Sequence, residues 1–174
     1  LLLREDSELY GVRTVVDRCG VLTGSWQMGK VDQGFVVLWM ARHFWGGTLS
    51  YYGYGGLGKQ VRDILHVADL FDLIDVQIHN WEIHNGQTYN VGGGGGNSVS
   101  LQELTFLCRE VTGNTIPIQS VPESRPGDVR IYVSDYGKVR AATGWKPKRS
   151  VEDIVSEIAQ WIASNQGELQ PILS

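Results

Sequence analysis

A strand that runs without a break into an amphipathic helix limits the folds open to this chain more than any other feature. Residues 60–66 form a short run suited to a strand, and Val67, Leu70, Phe71, Ile74 and Ile78 then recur at i, i+3, i+4 and i+7, one apolar stripe on a helix. The same alternation is legible elsewhere. Residues 12–19 are rich in β-branched side chains and predict a strand with Val15 and Val16 buried. A helix is expected over residues 33–45, capped by Asp32 and stopped at Gly46-Gly47, with apolar residues nearly all round it. Residues 48–52 and 87–91 read as further strands, and residues 116–121 as an edge strand because Pro117 cannot donate to a ladder. Ser100 with Glu103 matches a capping box ahead of a helix on which Leu101, Leu104, Leu107 and Val111 share a face up to Gly113. A short helix near 134–143 ending at Gly144, and a last amphipathic one over 151–161, complete the series. Strands and helices in alternation predict an α/β fold.

At 174 residues the chain is expected to form one domain, residues 1–174, without repeats or linkers. Its 15 Lys and Arg against 19 Asp and Glu leave a net charge of −4, so no basic field is present to hold nucleic acid or anionic lipid. The cluster Lys146-Pro147-Lys148-Arg149 is too short to change that. Cys19 and Cys108 belong to no CxxC motif, which argues against a zinc site or disulfide framework and for a reducing, cytoplasmic setting. The apolar run beginning at Phe35 is broken by Arg42, well short of the ~20 residues a bilayer requires. No membrane segment is expected.

Gly53-x-Gly55-x-x-Gly58 matches the dinucleotide fingerprint by spelling, but that motif must open a helix, and residues 59–67 read as a strand. A turn is the better reading, and Gly92 to Gly96 is likewise read as a connection. His79 and His84 flank Trp81 with no metal-ligand spacing and read as a solvated helix end. His43 reads as packed or surface, and His66 as structural. No Gly-x-Ser-x-Gly elbow supports nucleophilic hydrolysis.

A larger set of blocks runs in order along nearly the whole chain: Tyr10-Gly11, Arg18, Gly24, Lys30-Val31-Asp32-Gln33-Gly34, Tyr52 to Gly56, Gly58 to Asp63, Tyr89 to Gly93, Arg125-Pro126-Gly127-Asp128 and Gly144 to Pro147. In this order they resemble the extended short-chain dehydrogenase/reductases, specifically the NAD-dependent nucleotide-sugar epimerases and dehydratases, and most nearly the CDP-paratose 2-epimerase (CDP-tyvelose epimerase) group. The resemblance implies the C-terminal, substrate-side half of that Rossmann-type fold: the last sheet strands with a small helix-rich substrate domain.

It also implies roles. Arg62 and Arg125 would bracket the diphosphate of a sugar nucleotide, as planar guanidinium groups pair well with phosphate oxygens. Lys30, Asp32, Gln33 and Gly34 would lie under the nucleotide, and Asp128 would accept from a ribose hydroxyl. Other readings stand beside these: Arg62 pairing with Asp63 or Asp69, Asp32 serving only as a helix cap, and Asp128 making local turn bonds. Val21 and Thr23 stand where the family often has an Asn or Cys and a Tyr.

Family members bind NAD on a glycine-rich turn at the start of their chains and use the Tyr of a Tyr-x-x-x-Lys helix as base. Neither motif occurs here, since no Tyr is followed four positions later by Lys. The chain is therefore expected to hold no catalytic residue and no NAD site of its own. The expected partner is a nucleoside-diphosphate sugar, together with either a second copy or a separate cofactor-binding half.

Overall fold

The computed structural model describes residues 2–29 and 33–174, the side chain of Arg4 excepted. Helix α1 (Leu2–Tyr10) leads into β1 (Val15–Cys19) and β2 (Val21–Thr23), and α2 (Phe35–Trp45) and β3 (Leu49–Tyr52) follow. β4 (Val61–His66) passes directly into α3 (Val67–His79), then α4 (Trp81–His84) and β5 (Gln87–Val91). β6 (Ser98–Ser100), α5 (Leu101–Thr112), β7 (Ile118–Val121) and β8 (Ile131–Tyr132) come next, before α6 (Gly137–Thr143), α7 (Val151–Ser164) and α8 (Gln166–Leu173). The chain is α/β, and no helix among the described residues is long and apolar enough to cross a membrane.

Three small sheets organise these elements. β1 pairs in parallel with β5, and β3 in parallel with β7. β4 is the hub: β2 and β8 run parallel to it, and β6 runs antiparallel. Its register sets Arg62 opposite Val99 on one neighbour and Tyr132 on the other. Arg62 thus stands on backbone held from both sides.

The larger core lies between helices. Val36, Val37, Trp39 and Met40 of α2 pack with Leu104 and Cys108 of α5 and with Ile154, Ile158 and Ile162 of α7, and Leu169 and Leu173 of α8 join the same cluster. Apolar residues all round α2 are satisfied by this burial. Inside it, desolvation pushes the Cys108 thiol up to about 12. A second cluster joins Leu65, Leu73, Tyr89, Val91, Val139 and Trp145. There the Trp145 indole donates to the Asp69 carbonyl at 2.8 Å, while the buried Asp69 carboxylate receives the Arg149 guanidinium and the N–H groups of Lys148 and Arg149. These bonds fasten residues 145–149 to α3.

Several expectations need correction. α2 begins at Phe35 behind a left-handed Gly34 that makes no side-chain cap, and Asp32 lies outside the described residues. Val15 and Val16 are only half-buried, because β1 has β5 as its sole strand neighbour among the described residues. Most of the stripe on α3 faces outward: Phe71 is 67% exposed and Ile78 60%, Leu70 alone of the stripe packs against the second cluster, and Asp69, Leu73 and Gln77 are the buried positions. Apolar spacing located the helix, but not which of its faces is covered. His84 is buried and hydrogen-bonds the Tyr89 hydroxyl at 2.9 Å, whereas only His79 occupies a solvated helix end. α8 escaped the sequence reading because Pro171 lies inside it.

The capping box at Ser100 is present in full, since its hydroxyl accepts from the Glu103 N–H and the Glu103 carboxylate accepts from the Ser100 N–H. The Ser100 hydroxyl also donates to that carboxylate at 2.6 Å, and this bond, with the one from the Ser100 N–H, holds the Glu103 carboxyl below its usual pKa. A depressed carboxylate pKa adds stability above the unfolded-state value and loses it as pH falls through the folded one. Ser100→Ala is expected to cost about 1 kcal/mol at neutral pH. In urea titrations that difference should narrow toward acid, as Glu103 protonates in the parent too.

Candidate functional site

One cleft of about 580 Å³ opens between α2, β3, the start of β4 and the loop carrying Arg125 to Asp128. Its α2 wall is built by helical spacing: Phe35, Leu38, Trp39 and Arg42 fall at i, i+3, i+4 and i+7 and all line the cavity. β3 contributes Ser50 and Tyr52, and β4 contributes Arg62. Three guanidinium groups and one carboxylate, Asp128, are the charged groups of this lining among the described residues, so the cleft is cationic in a chain that is acidic as a whole. It has the volume and the mixed lining of a small-molecule site.

Arg62 reaches across the cleft floor. One guanidinium nitrogen donates to the carbonyl of Val61 at 2.8 Å, and the other pairs with Asp128 at 2.8 Å. Both side chains keep roughly a quarter of their surface open, 22% and 27%, which leaves the pair reachable by a ligand. Neither Asp63 nor Asp69 is its partner. Asp63 is buried and accepts from the Gly94 N–H, and Asp69 is held by Arg149. Arg125 lies over the Tyr52 ring, its guanidinium carbon 4.9 Å from the ring centroid. That contact is a cation–π interaction, and it faces the Arg125 group into the same cavity.

The sequence therefore identified three residues that the fold brings together, Arg62, Arg125 and Asp128. Gln33 and Gly34 precede the wall residue Phe35 and are not themselves in the lining. Lys30 lies, like Asp32, outside the described residues. Arg42 was missed. Its signal was available, as a cation on the otherwise apolar face shared with Phe35, Leu38 and Trp39.

The Gly53 to Gly58 turn does not suit a dinucleotide. Gly53, Gly55 and Gly58 all have positive φ, but the chain leaves the turn as β4, so no helix N-terminus with free N–H groups faces a pyrophosphate. Gly58 serves packing, since a side chain there would meet the Tyr51 ring at 2.9 Å. His66 is structural. Its Nδ1 accepts from the Ala68 N–H and caps α3, and its Nε2 meets Glu157 at 3.0 Å. His43 is buried against the Trp39 carbonyl. No cluster of metal-ligating side chains occurs among the described residues.

Comparison with known proteins gives a consistent result. The family described as GDP-mannose 4,6 dehydratase matches residues 7–158. The CDP-paratose 2-epimerase of Salmonella typhi is 32% identical over 160 residues, which cover 91% of this chain and 47% of that protein. Among solved structures, the UDP-glucose 4-epimerase of Thermotoga maritima with UDP-glucose superposes with a TM-score of 0.79 at 26% identity, covering 95% of this chain and 50% of the other. The dTDP-glucose 4,6-dehydratase of Bacillus anthracis in complex with NAD gives 0.78 at 28% identity, with 95% and 49% coverage. The chain spans about half the length of the relatives it matches.

Proposed function

The chain belongs to the family of NAD-dependent nucleotide-sugar epimerases and dehydratases, and from that premise we propose that its cleft binds a nucleoside-diphosphate sugar. The observation that carries this reading is the convergence of Arg62 and Arg125 on one cavity. Two guanidinium groups answer two phosphates, and charge-assisted bonds of this kind are among the stronger polar contacts available to a protein. Asp128 is available to a ribose hydroxyl while it holds Arg62. Phe35, Leu38 and Trp39 supply an apolar wall that excludes water from the nucleotide, which strengthens the ionic contacts beside it. Lys30, Asp32, Gln33 and Gly34 remain proposed contacts at the entrance to α2.

In this family NAD, when bound, accepts and returns a hydride at a sugar carbon. The glycine turn of this chain does not fit its pyrophosphate, and no Tyr-x-x-x-Lys base is in the sequence, so no chemical step is assigned to these residues. The role proposed for this polypeptide is to bind and orient substrate for chemistry supplied by groups outside it. Calorimetric titration with CDP-, UDP- and dTDP-sugars tests the binding directly. Saturable one-to-one binding that is lost when the diphosphate is replaced by the bare nucleoside is the expected result. Heat that does not depend on the phosphates would overturn the reading.

A second reading, that the chain acts as a self-associating or interaction module, is favoured by the outward stripe of α3. Val67, Phe71, Ile74 and Ile78 are 39–67% exposed along one helix, an apolar face of the kind that partners cover. Sedimentation distinguishes the two. A strict monomer that binds nucleotide sugars supports the first reading and removes the oligomer.

A further inference from the structure

We propose that Tyr54, in the glycine turn rather than the cleft lining, is a positioning residue for the diphosphate site. This rests on the substrate reading above and adds to it the device that keeps the two arginines in place. Tyr54 makes two bonds to one loop. Its N–H donates to the Ser124 hydroxyl at 3.0 Å, and its own hydroxyl donates to the Asp128 carbonyl at 2.7 Å. The two contacts bracket residues 124–128, the segment that carries both Arg125 and the Asp128 carboxylate. Within it, Asp128 N–H donates back to the Arg125 carbonyl at 3.2 Å, closing a turn. Fixing the Asp128 main chain therefore fixes where its carboxylate meets Arg62, as well as the turn from which Arg125 projects.

The rest of the glycine turn is tied to the same loop. Gly53 N–H donates to Val121 at 2.8 Å and Gly55 N–H to Pro122 at 3.4 Å, while the Gln60 side chain donates to the Tyr52 carbonyl. Tyr52 lies under the Arg125 guanidinium, so a single tripeptide, Tyr52-Gly53-Tyr54, touches both ends of the Arg125 to Asp128 turn. Tyr54 does this from an unfavourable backbone. Its φ of 50° lies in the left-handed region, which side chains larger than glycine seldom occupy. A glycine would relax the backbone there but could not reach the Asp128 carbonyl. Local strain of this kind persists where surrounding bonds over-determine it.

The test uses the full chain with Tyr54→Phe, which removes only the hydroxyl, and titrates CDP and cytidine 5′-monophosphate into parent and variant. Loss of one such bond is expected to weaken CDP by about fivefold. The monophosphate, gripped by fewer of the loop's groups, should weaken less, whereas general damage to the fold would weaken both alike. Hydrogen exchange over residues 122–130 is measured in parallel without ligand, and faster exchange is expected in the variant. Equal CDP affinity in the two proteins, or an equal loss for both nucleotides, overturns the positioning role. If the parent binds neither nucleotide, the substrate reading fails and the diphosphate role of Tyr54 with it; exchange then decides only whether Tyr54 holds the Arg125 to Asp128 turn, which an unchanged loop overturns and a loosened one upholds.

Discussion

Replacing Arg62 and Arg125 together by Ala is expected to remove nucleoside-diphosphate binding, with each single change weakening it about 10- to 100-fold. Arg62 is paired with Asp128 at 2.8 Å, so Arg62→Ala deletes a phosphate contact and also leaves an unneutralised carboxylate facing the incoming phosphates. Arg125→Ala deletes the cation that lies over the Tyr52 ring and lines the same cavity. The loss caused by Arg62→Ala is expected to shrink in high salt, which screens the residual repulsion. Calorimetry on the three variants with CDP and UDP reads both effects. Parent-like affinity in the double variant would remove the basis for the proposed site.

Trp145→Ala is expected to cost about 3–5 kcal/mol of stability, the range for truncating a large aromatic in a packed core. Trp145 is 6% exposed and meets the Tyr136 ring edge-on at 5.9 Å. Its indole is also the donor to the Asp69 carbonyl, so the truncation leaves both a cavity and an unpaired acceptor. Trp145→Phe fills most of the space and should lose only about 1–2 kcal/mol. Urea denaturation separates the two, provided the slope with denaturant is unchanged between variants. A loss below about 1 kcal/mol for Trp145→Ala would mean that the second cluster contributes little to cooperative folding.

Much of the architecture could be read from local chemistry. The glycines at 46, 113 and 144 all end helices in left-handed conformation, and Ser100 with Glu103 forms the box its spacing implies. Such signals are contained within a few residues. β2, β6 and β8 were not legible, because two or three residues are too short to show a period. Long-range pairing was the other obstacle. The nearest carboxylates to Arg62 along the chain are Asp63 and Asp69, yet its partner is 66 residues away on a loop that β8 brings alongside β4. Order of motifs pointed to Arg62, Arg125 and Asp128 as a group, and the fold gathers those three. Gln33 and Gly34, drawn from the same ordered blocks, precede the wall residue Phe35 without lining the cavity themselves.

β1 carries a consequence of its own. Among the described residues β1 pairs with a strand on one flank only, and backbone hydrogen bonding is blind to side-chain identity. A strand added to this sheet would have to match it in spacing and direction, so selectivity at that flank would fall to the residues that surround it rather than to the ladder. Val15 and Val16, half-covered as they are, would then be the positions that tell a fitting strand from a foreign one.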